Sequence, residues 1–346
     1  MATCHTFESC RPDHSLFLIC FNRRLVYSLR AMEENRKLVA VIDIGSNSIK
    51  LLVAATDENG GIDTIHFETD ETRIGGFLGG ESQEMTKEAM RAGVMSVESL
   101  VKKAGEYYPE RVAIIATSAV RDAQNQEVFC RWIQEVTGGA VDILSGEEEA
   151  RLVGLGVSCD PALKGKRDFY QMDQGGGSLE LVEYRNCAHK NMVSLPLGAV
   201  RLFRQFQSES LEAMTSKQMN AIADWVDEWI GKTKWLAGVK TPMLVGTGGA
   251  LTLTRVTLAQ EQGKKLADFS PVLTREQLDS FFQRIAALSV EDRVKKVNLP
   301  VARADILPAS LAAILRVMHH FEAKSIVHSF YNLRYGYAYE LLFSKS

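Results

Sequence analysis

One pattern occurs twice in this chain and limits its architecture more than any other feature. A strand ends in Asp-x-Gly, a small-residue turn follows, and a second strand leads away; the first such strand, 38–44, is an apolar run with β-branched residues. The first copy covers 38–44, the turn Gly45-Ser46-Asn47-Ser48, and 49–55. The second, about 130 residues later, covers 169–173, the turn Gly175-Gly176-Gly177-Ser178, and 179–184. Apolar runs bounded by turn residues read as buried strands, so each copy predicts a β-hairpin. A third strand is expected at 62–68. Helices at 86–104, 127–136 and 147–156 alternate with strands at 111–117 and 141–144. That alternation is the signature of an α/β domain.

The polar, turn-rich stretch Pro161-Ala162-Leu163-Lys164-Gly165-Lys166-Arg167 is the natural boundary. Beyond it a second round is expected, with strands at 192–197 and 243–245 and helices at 217–235, from Ala250, at 308–321 and at 334–343. With 346 residues, of which 46% are hydrophobic and 24% charged, the chain can fill two cores. The expected division is an extension at 1–35, one domain at 36–166 and another at 167–346. The first thirty-one residues hold three of the six cysteines and show no periodicity, and Met32 reads as a natural start. The set Cys4, His5, Cys10, His14 and Cys20 matches no standard zinc spacing.

Composition excludes several function classes. A net charge of −3 argues against a general nucleic-acid binder, while leaving a polyanionic substrate open. No CxxC occurs, and the scattered cysteines suit reduced thiols in a cytoplasmic protein. No apolar run is long enough for a membrane helix, and Ser15-Leu16-Phe17-Leu18-Ile19-Cys20-Phe21 lacks signal-peptide flanks.

Five segments carry chemistry. In Asp43-Ile44-Gly45-Ser46-Asn47-Ser48, Gly45 permits positive φ and close backbone approach, and successive N–H groups can form an anion-binding nest. Asp43 at a strand end suits Mg²⁺. In Asp173-Gln174-Gly175-Gly176-Gly177-Ser178-Leu179-Glu180, three glycines cost backbone entropy, and phosphate contact is the offset that a strand–turn–strand setting suggests. In Ser145-Gly146-Glu147-Glu148-Glu149-Ala150-Arg151, Ser145 reads as an N-cap, and the clustered carboxylates suit a general base of raised pKa. Arg121 follows a buried strand in Ala116-Thr117-Ser118-Ala119-Val120-Arg121, where a guanidinium can bind phosphate. Gly248 and Gly249 lie in a third strand–loop–helix turn suited to phosphate. Gly231-Lys232-Thr233 lacks the upstream glycine of a P-loop, and His319-His320 point apart on a helix.

Taken in order with Ser194-Leu195-Pro196-Leu197-Gly198-Ala199-Val200-Arg201-Leu202, the segment 300–307 and the C-terminal Leu333-Arg334-Tyr335-Gly336, these motifs resemble the Ppx/GppA phosphatase family. The resemblance covers 38 to the C-terminus and matches the short, two-domain form. It implies two ribonuclease H-like domains of the actin/sugar kinase/Hsp70 superfamily, with a cleft between them. It also implies Glu149 as the residue that activates water, Glu148 beside it as an alternative, and Arg121 on phosphate. Asp43, Asp173 and Glu180 are implied around Mg²⁺, with Mn²⁺ as an alternative. Gly45, Ser46, Asn47 and Ser48 are implied as one phosphate loop, and Gly175, Gly176, Gly177 and Ser178 as the other. Gln174, Leu179 and Tyr335 depart from the family's usual residues. The implied activity is release of terminal phosphate from inorganic polyphosphate, or conversion of pppGpp to ppGpp, by a homodimer. A kinase of the same superfamily and a non-catalytic sensor of polyphosphate or alarmone are the competing classes. The clustered glutamates argue against the kinase, and the presence of Glu148, Glu149, Asp43 and Asp173 together argues against the sensor.

Overall fold

Both predicted hairpins form, and each founds a sheet. The computed structural model describes residues 36–344 apart from Asn59, Cys187, residues 208–209 and residues 240–242. The expected extension at 1–35 and its cysteines lie outside the described residues. The first sheet comprises β1 (Leu38–Ile44), β2 (Ile49–Thr56), β3 (Ile62–Asp70), β4 (Arg111–Ala116) and β5 (Val141–Ile143), in the order β3-β2-β1-β4-β5. The second comprises β6 (Phe169–Gln174), β7 (Leu179–Arg185), β8 (Ala188–Leu195), β9 (Leu244–Gly248), β10 (Val272–Thr274) and β11 (Ser325–His328). Its order is β10-β11-β9-β6-β7-β8. β1 runs antiparallel to β2 and parallel to β4, and β6 runs antiparallel to β7 and parallel to β9. This is the ribonuclease H-like plan repeated.

β1 is buried at all seven positions, which is why its sequence is a continuous apolar run rather than an alternation. Its two faces feed different cores. On one face Ile42, Ile44, Ile49 and Leu51 pack with Phe129 and Ile133. Phe129 and Ile133 belong to α3 (Gln126–Thr137), which follows α1 (Lys87–Gly105) and α2 (Ser118–Arg121). Thr86 caps α1 by accepting from the Ala89 N–H. Behind the other face lies α4 (Gly146–Ser158), capped as expected by Ser145, whose Oγ accepts from the Glu148 N–H at 3.1 Å.

The second sheet is covered by α5 (Ala199–Gln207), α6 (Ser216–Lys232), α7 (Gly249–Glu261), α8 (Arg275–Ala286), α9 (Val290–Val297), α10 (Val301–Ala304) and α11 (Leu307–His320). Met172, Leu181, Ile222, Val226, Phe281 and Ile314 share its core. The last helix, α12 (Leu333–Phe343), goes elsewhere. Its Leu333, Tyr335, Ala338 and Leu342 pack with Val39, Val41, Leu52 and Ala54 of the first sheet and Leu152 and Val153 of α4. A single cut at 166/167 therefore places α12 in the wrong lobe. The chain leaves the first sheet there, but its end returns to complete that sheet's core. Glycines allow the contact: a Cβ on Gly336 would lie 1.9 Å from the Leu152 carbonyl oxygen and 3.0 Å from the Gly156 nitrogen.

Candidate active site

The two hairpin turns are built alike. The Gly45 N–H donates to the Ser48 carbonyl at 3.2 Å, and the Gly175 N–H donates to the Ser178 carbonyl at 3.0 Å. Gly45 does not adopt the positive φ that its missing side chain permits. Close approach is the reason for glycine there: a Cβ would lie 2.9 Å from the Ser48 carbonyl oxygen. The turns also meet each other. A Cβ on Gly177 would lie 2.3 Å from Ser118 Oγ and 2.6 Å from Ser46 Oγ, and one on Gly176 would lie 2.9 Å from Ser46 Cβ. The third turn does use glycine's conformational freedom. Gly248 has φ 104°, and a Cβ there would lie 2.4 Å from the Gln174 carbonyl oxygen. α7 starts at the next residue, with its first N–H groups free of helical partners.

Between the loops is a cavity of about 80 Å³, lined by Gly45 to Ser48, Gly175 to Ser178, Gly248 and Gly249, with Asp43, Lys50, Glu149, Asp173, Glu180, Arg303 and Arg334. That is small beside the ~300–1,000 Å³ of sites for drug-sized ligands, and residues of both lobes line it. A neighbouring opening of about 480 Å³ shares Lys50, Gly248, Gly249, Arg303 and Arg334 and adds Phe67 and Phe330.

Strand register explains who faces the cavity. Asp43 lies directly opposite Lys50 in the first hairpin, and Asp173 opposite Glu180 in the second. Opposed residues project to the same face, so each hairpin delivers a pair of ionisable groups together. Glu149 joins them from the first turn of α4. Burial pushes its carboxyl up to about 7, against the pull of the Arg121 guanidinium and with help from Asp43 and Asp173. Arg121 Nη1 donates to Glu149 Oε2 at 2.8 Å and to the Leu144 carbonyl at 2.9 Å. Burial also raises Asp173, and it raises Glu180 well above the usual range with the Glu149 and Asp173 carboxylates adding to the effect. Ser194 Oγ donates to Glu180 at 2.7 Å. Lys50 is lowered to about 8, first by burial and then by Arg334. Arg334 Nη1 donates to Asp43 Oδ2 at 3.0 Å.

Two expectations change. Glu148 is not in the cavity: Arg151 binds its carboxylate through Nε at 2.9 Å and Nη2 at 2.6 Å, holding it below the usual carboxylate range. Successive helical residues point about 100° apart, so only one of the pair can face inward. Arg121 does not line the cavity either, and reaches the site through Glu149. Lys50, Arg303 and Arg334 are site residues that the sequence reading did not single out. Lys50 was accessible in principle from hairpin register. Arg303 and Arg334 lie in the segments 300–307 and 333–336 that contribute to the family resemblance, but nothing local shows that these remote segments reach the loops.

The carboxylate oxygens suit a hard cation such as Mg²⁺ or Mn²⁺; burial, and after it the neighbouring carboxylates, raises the pKa values of Asp173 and Glu180, and a cation would oppose both effects. Among the described residues no three His, Cys, Asp or Glu side chains are gathered closely enough to hold a metal alone. Mg²⁺ ordinarily takes one or two carboxylates and completes its shell with water and substrate phosphate. Asp43, Asp173 and Glu180 are the cavity carboxylates from which such a shell could draw. Among the described residues no helix is long and apolar enough to cross a membrane.

Comparison with known proteins bears on this geometry. The family model described as the Ppx/GppA phosphatase family matches residues 52–345. A guanosine-5'-triphosphate,3'-diphosphate pyrophosphatase of Photobacterium profundum is 27% identical over 320 residues, covering 90% of this chain and 61% of that protein. This chain thus spans 61% of the length of that curated relative. Among solved structures, an exopolyphosphatase from Cytophaga hutchinsonii superposes with a TM-score of 0.81 at 22% identity, covering 90% of this chain and 99% of the other. The Aquifex aeolicus member of the Ppx/GppA family superposes with a TM-score of 0.71 at 26% identity, covering 90% and 100%.

Proposed function

This chain belongs to the Ppx/GppA phosphatase family, and from that premise we propose that it hydrolyses terminal phosphoanhydride bonds, releasing phosphate from inorganic polyphosphate. One observation carries the reading. Two glycine turns meet over buried carboxylates, one of which, Glu149, is held at about 7. A carboxylate near neutrality can take a proton from an attacking water and still be regenerated at working pH. The backbone N–H groups of the turns are disposed to bind the equatorial oxygens of the transferred phosphoryl group, where charge accumulates. Water adds to phosphorus, the bridging P–O bond breaks, and the shortened chain leaves with the electron pair. Enzymes of this family generally depend on a divalent metal. When bound, such an ion would neutralise phosphate charge at the Asp43, Asp173 and Glu180 oxygens. Arg121 orients Glu149 and keeps its carboxylate from becoming too basic. Lys50 and Arg303 supply positive charge from two sides of the cavity.

A second reading, cleavage of pppGpp to ppGpp, is favoured by the opening of about 480 Å³ beside the cavity, where Phe67 and Phe330 offer apolar surface for a nucleoside. The name of the Photobacterium relative agrees with it. The chemistry at phosphorus is the same. The test is a phosphate-release assay on polyphosphate and pppGpp, each with Mg²⁺ and again after chelation. Release from polyphosphate at the higher kcat/KM, lost on chelation, is the expected result. Preference for pppGpp would install the second reading, and no release from either would defeat both.

A further inference from the structure

Arginines of the second lobe grip carboxylates of the first at two places on the margin of the cavity. Glu71, just after β3, accepts from Arg303 Nη2 at 2.8 Å and Nε at 3.0 Å, and from Asn47 Nδ2 at 2.5 Å. The same guanidinium donates to Ser48 Oγ at 3.2 Å. Asp122, just after α2, accepts from Arg201 Nη2 at 2.5 Å. Arg201 also donates to the Gly177 carbonyl at 2.8 Å and to Ser118 Oγ at 3.2 Å. Each arginine therefore touches a phosphate loop while holding a carboxylate from the opposite lobe. A third cross-lobe pair differs. Arg73 binds Asp305 through two nitrogens, at 2.5 and 2.9 Å, and the Ala302 carbonyl at 2.8 Å, and it makes no side-chain bond to either loop.

We propose that Glu71 and Asp122 are internal counter-anions, which hold the cleft shut on Arg303 and Arg201 and which a polyanionic substrate displaces on entry. The inference rests on the phosphohydrolase reading above and adds how the closed site admits its substrate. A guanidinium presents the same forked donors to phosphate as to carboxylate, so the exchange keeps its bond geometry. No partly buried arginine is left unpaired during the exchange, which would otherwise be costly. A ligand with several charged phosphates can replace both carboxylates at once, whereas a neutral ligand can replace neither. The device thus selects for polyanions. It also lowers apparent affinity, because the form with Arg303 and Arg201 freed of their carboxylates is only a fraction of the population.

The experiment uses the full chain and tripolyphosphate as the probe, with divalent metal chelated so that the probe is not consumed. Glu71→Gln and Asp122→Asn keep side-chain shape and remove the competing charge. Calorimetric binding of tripolyphosphate should tighten by about 3–10-fold in each, and further in the double variant. Asp305→Asn loosens the same lobes without freeing either loop-facing arginine, so its affinity should stay within about 2-fold of the parent. Arg73→Gln serves as the same control if Asp305→Asn does not fold. Unchanged or weaker binding in Glu71→Gln and Asp122→Asn would overturn the proposal, as would an equal gain in the control. Calorimetry needs no turnover, so the two ideas fail separately. A parent chain that binds tripolyphosphate but releases no phosphate sinks the hydrolase reading alone. Unmoved affinities in an active enzyme sink the latch alone.

Discussion

Glu148 and Glu149 are neighbours in one helix, yet burial and partner separate them. Glu149 is 7% exposed and shares its oxygens with Arg121, while Glu148 is clasped by Arg151 outside the cavity. Glu149→Gln should lower kcat by ~10²-fold or more with substrate binding retained, as for loss of a general base. Glu148→Gln should stay within a few-fold, and steady-state kinetics on both variants checks the assignment. The three-glutamate run was legible as a candidate base, but which glutamate faces inward was not. That choice depends on helix phase relative to the second sheet, which no local pattern records. A second residue-scale test concerns His328. Its Nδ1 accepts from Arg255 at 3.3 Å, its Nε2 lies 3.0 Å from Thr252 Oγ1, and burial next to Arg255 lowers its pKa to about 4. Below about 6.5 the unfolded chain therefore binds a proton that the folded chain refuses. Stability should be full above that value and fall as pH drops toward 4, with a slope of up to about 1.4 kcal/mol per pH unit from this group. Urea midpoints between pH 7 and pH 4.5 should fall more steeply in the parent than in His328→Gln. Parallel curves would contradict the assignment.

At the scale of elements, the hairpins were the most legible part of the chain. β1, buried on both faces, is a nearly continuous apolar run broken by a tight turn, and β6–β7 is marked by its Asp-x-Gly glycine turn although buried Gln171, Asp173 and Gln174 interrupt its apolar residues. What the glycines are for was less legible. Gly45 serves close approach within its own turn, while Gly176 and Gly177 meet partners on other segments, which only contact distances show. The packing of α4 on α12 is of the same kind, with Gly156 and Gly336 meeting where any side chain would collide with backbone. Gly336→Ala should force the helices apart and cost about 1–3 kcal/mol, since a backbone obstacle cannot rotate away. Thermal unfolding should show a lower midpoint, and activity should fall with it because Arg334 holds Asp43 from the same helix. An unchanged midpoint would mean that the two helices have room which this packing denies.

The whole molecule is two sheets tied by a chain that crosses twice, first after α4 and again before α12. Because Leu333, Tyr335, Ala338 and Leu342 fill the core of the first sheet, ending the chain at Asn332 should expose Val39, Val41, Leu52 and Ala54. Each fully buried aliphatic side chain contributes about 1.5–3 kcal/mol, so the truncated protein should aggregate or lack a cooperative transition. A soluble, cooperatively unfolding 1–332 fragment would show that α12 is dispensable. By itself the sequence determined the two hairpin-led α/β halves, their glycine turns and the acidic residues beside them, because periodicity and turn chemistry are local consequences of backbone sterics. Tertiary structure alone decided that α12 belongs to the first lobe, that Glu149 rather than Glu148 meets the loops, and that Lys50, Arg303 and Arg334 join them. These depend on which distant segments a closed core brings together. Burial then sets the charge state of each group, and no window of sequence contains its own dielectric environment.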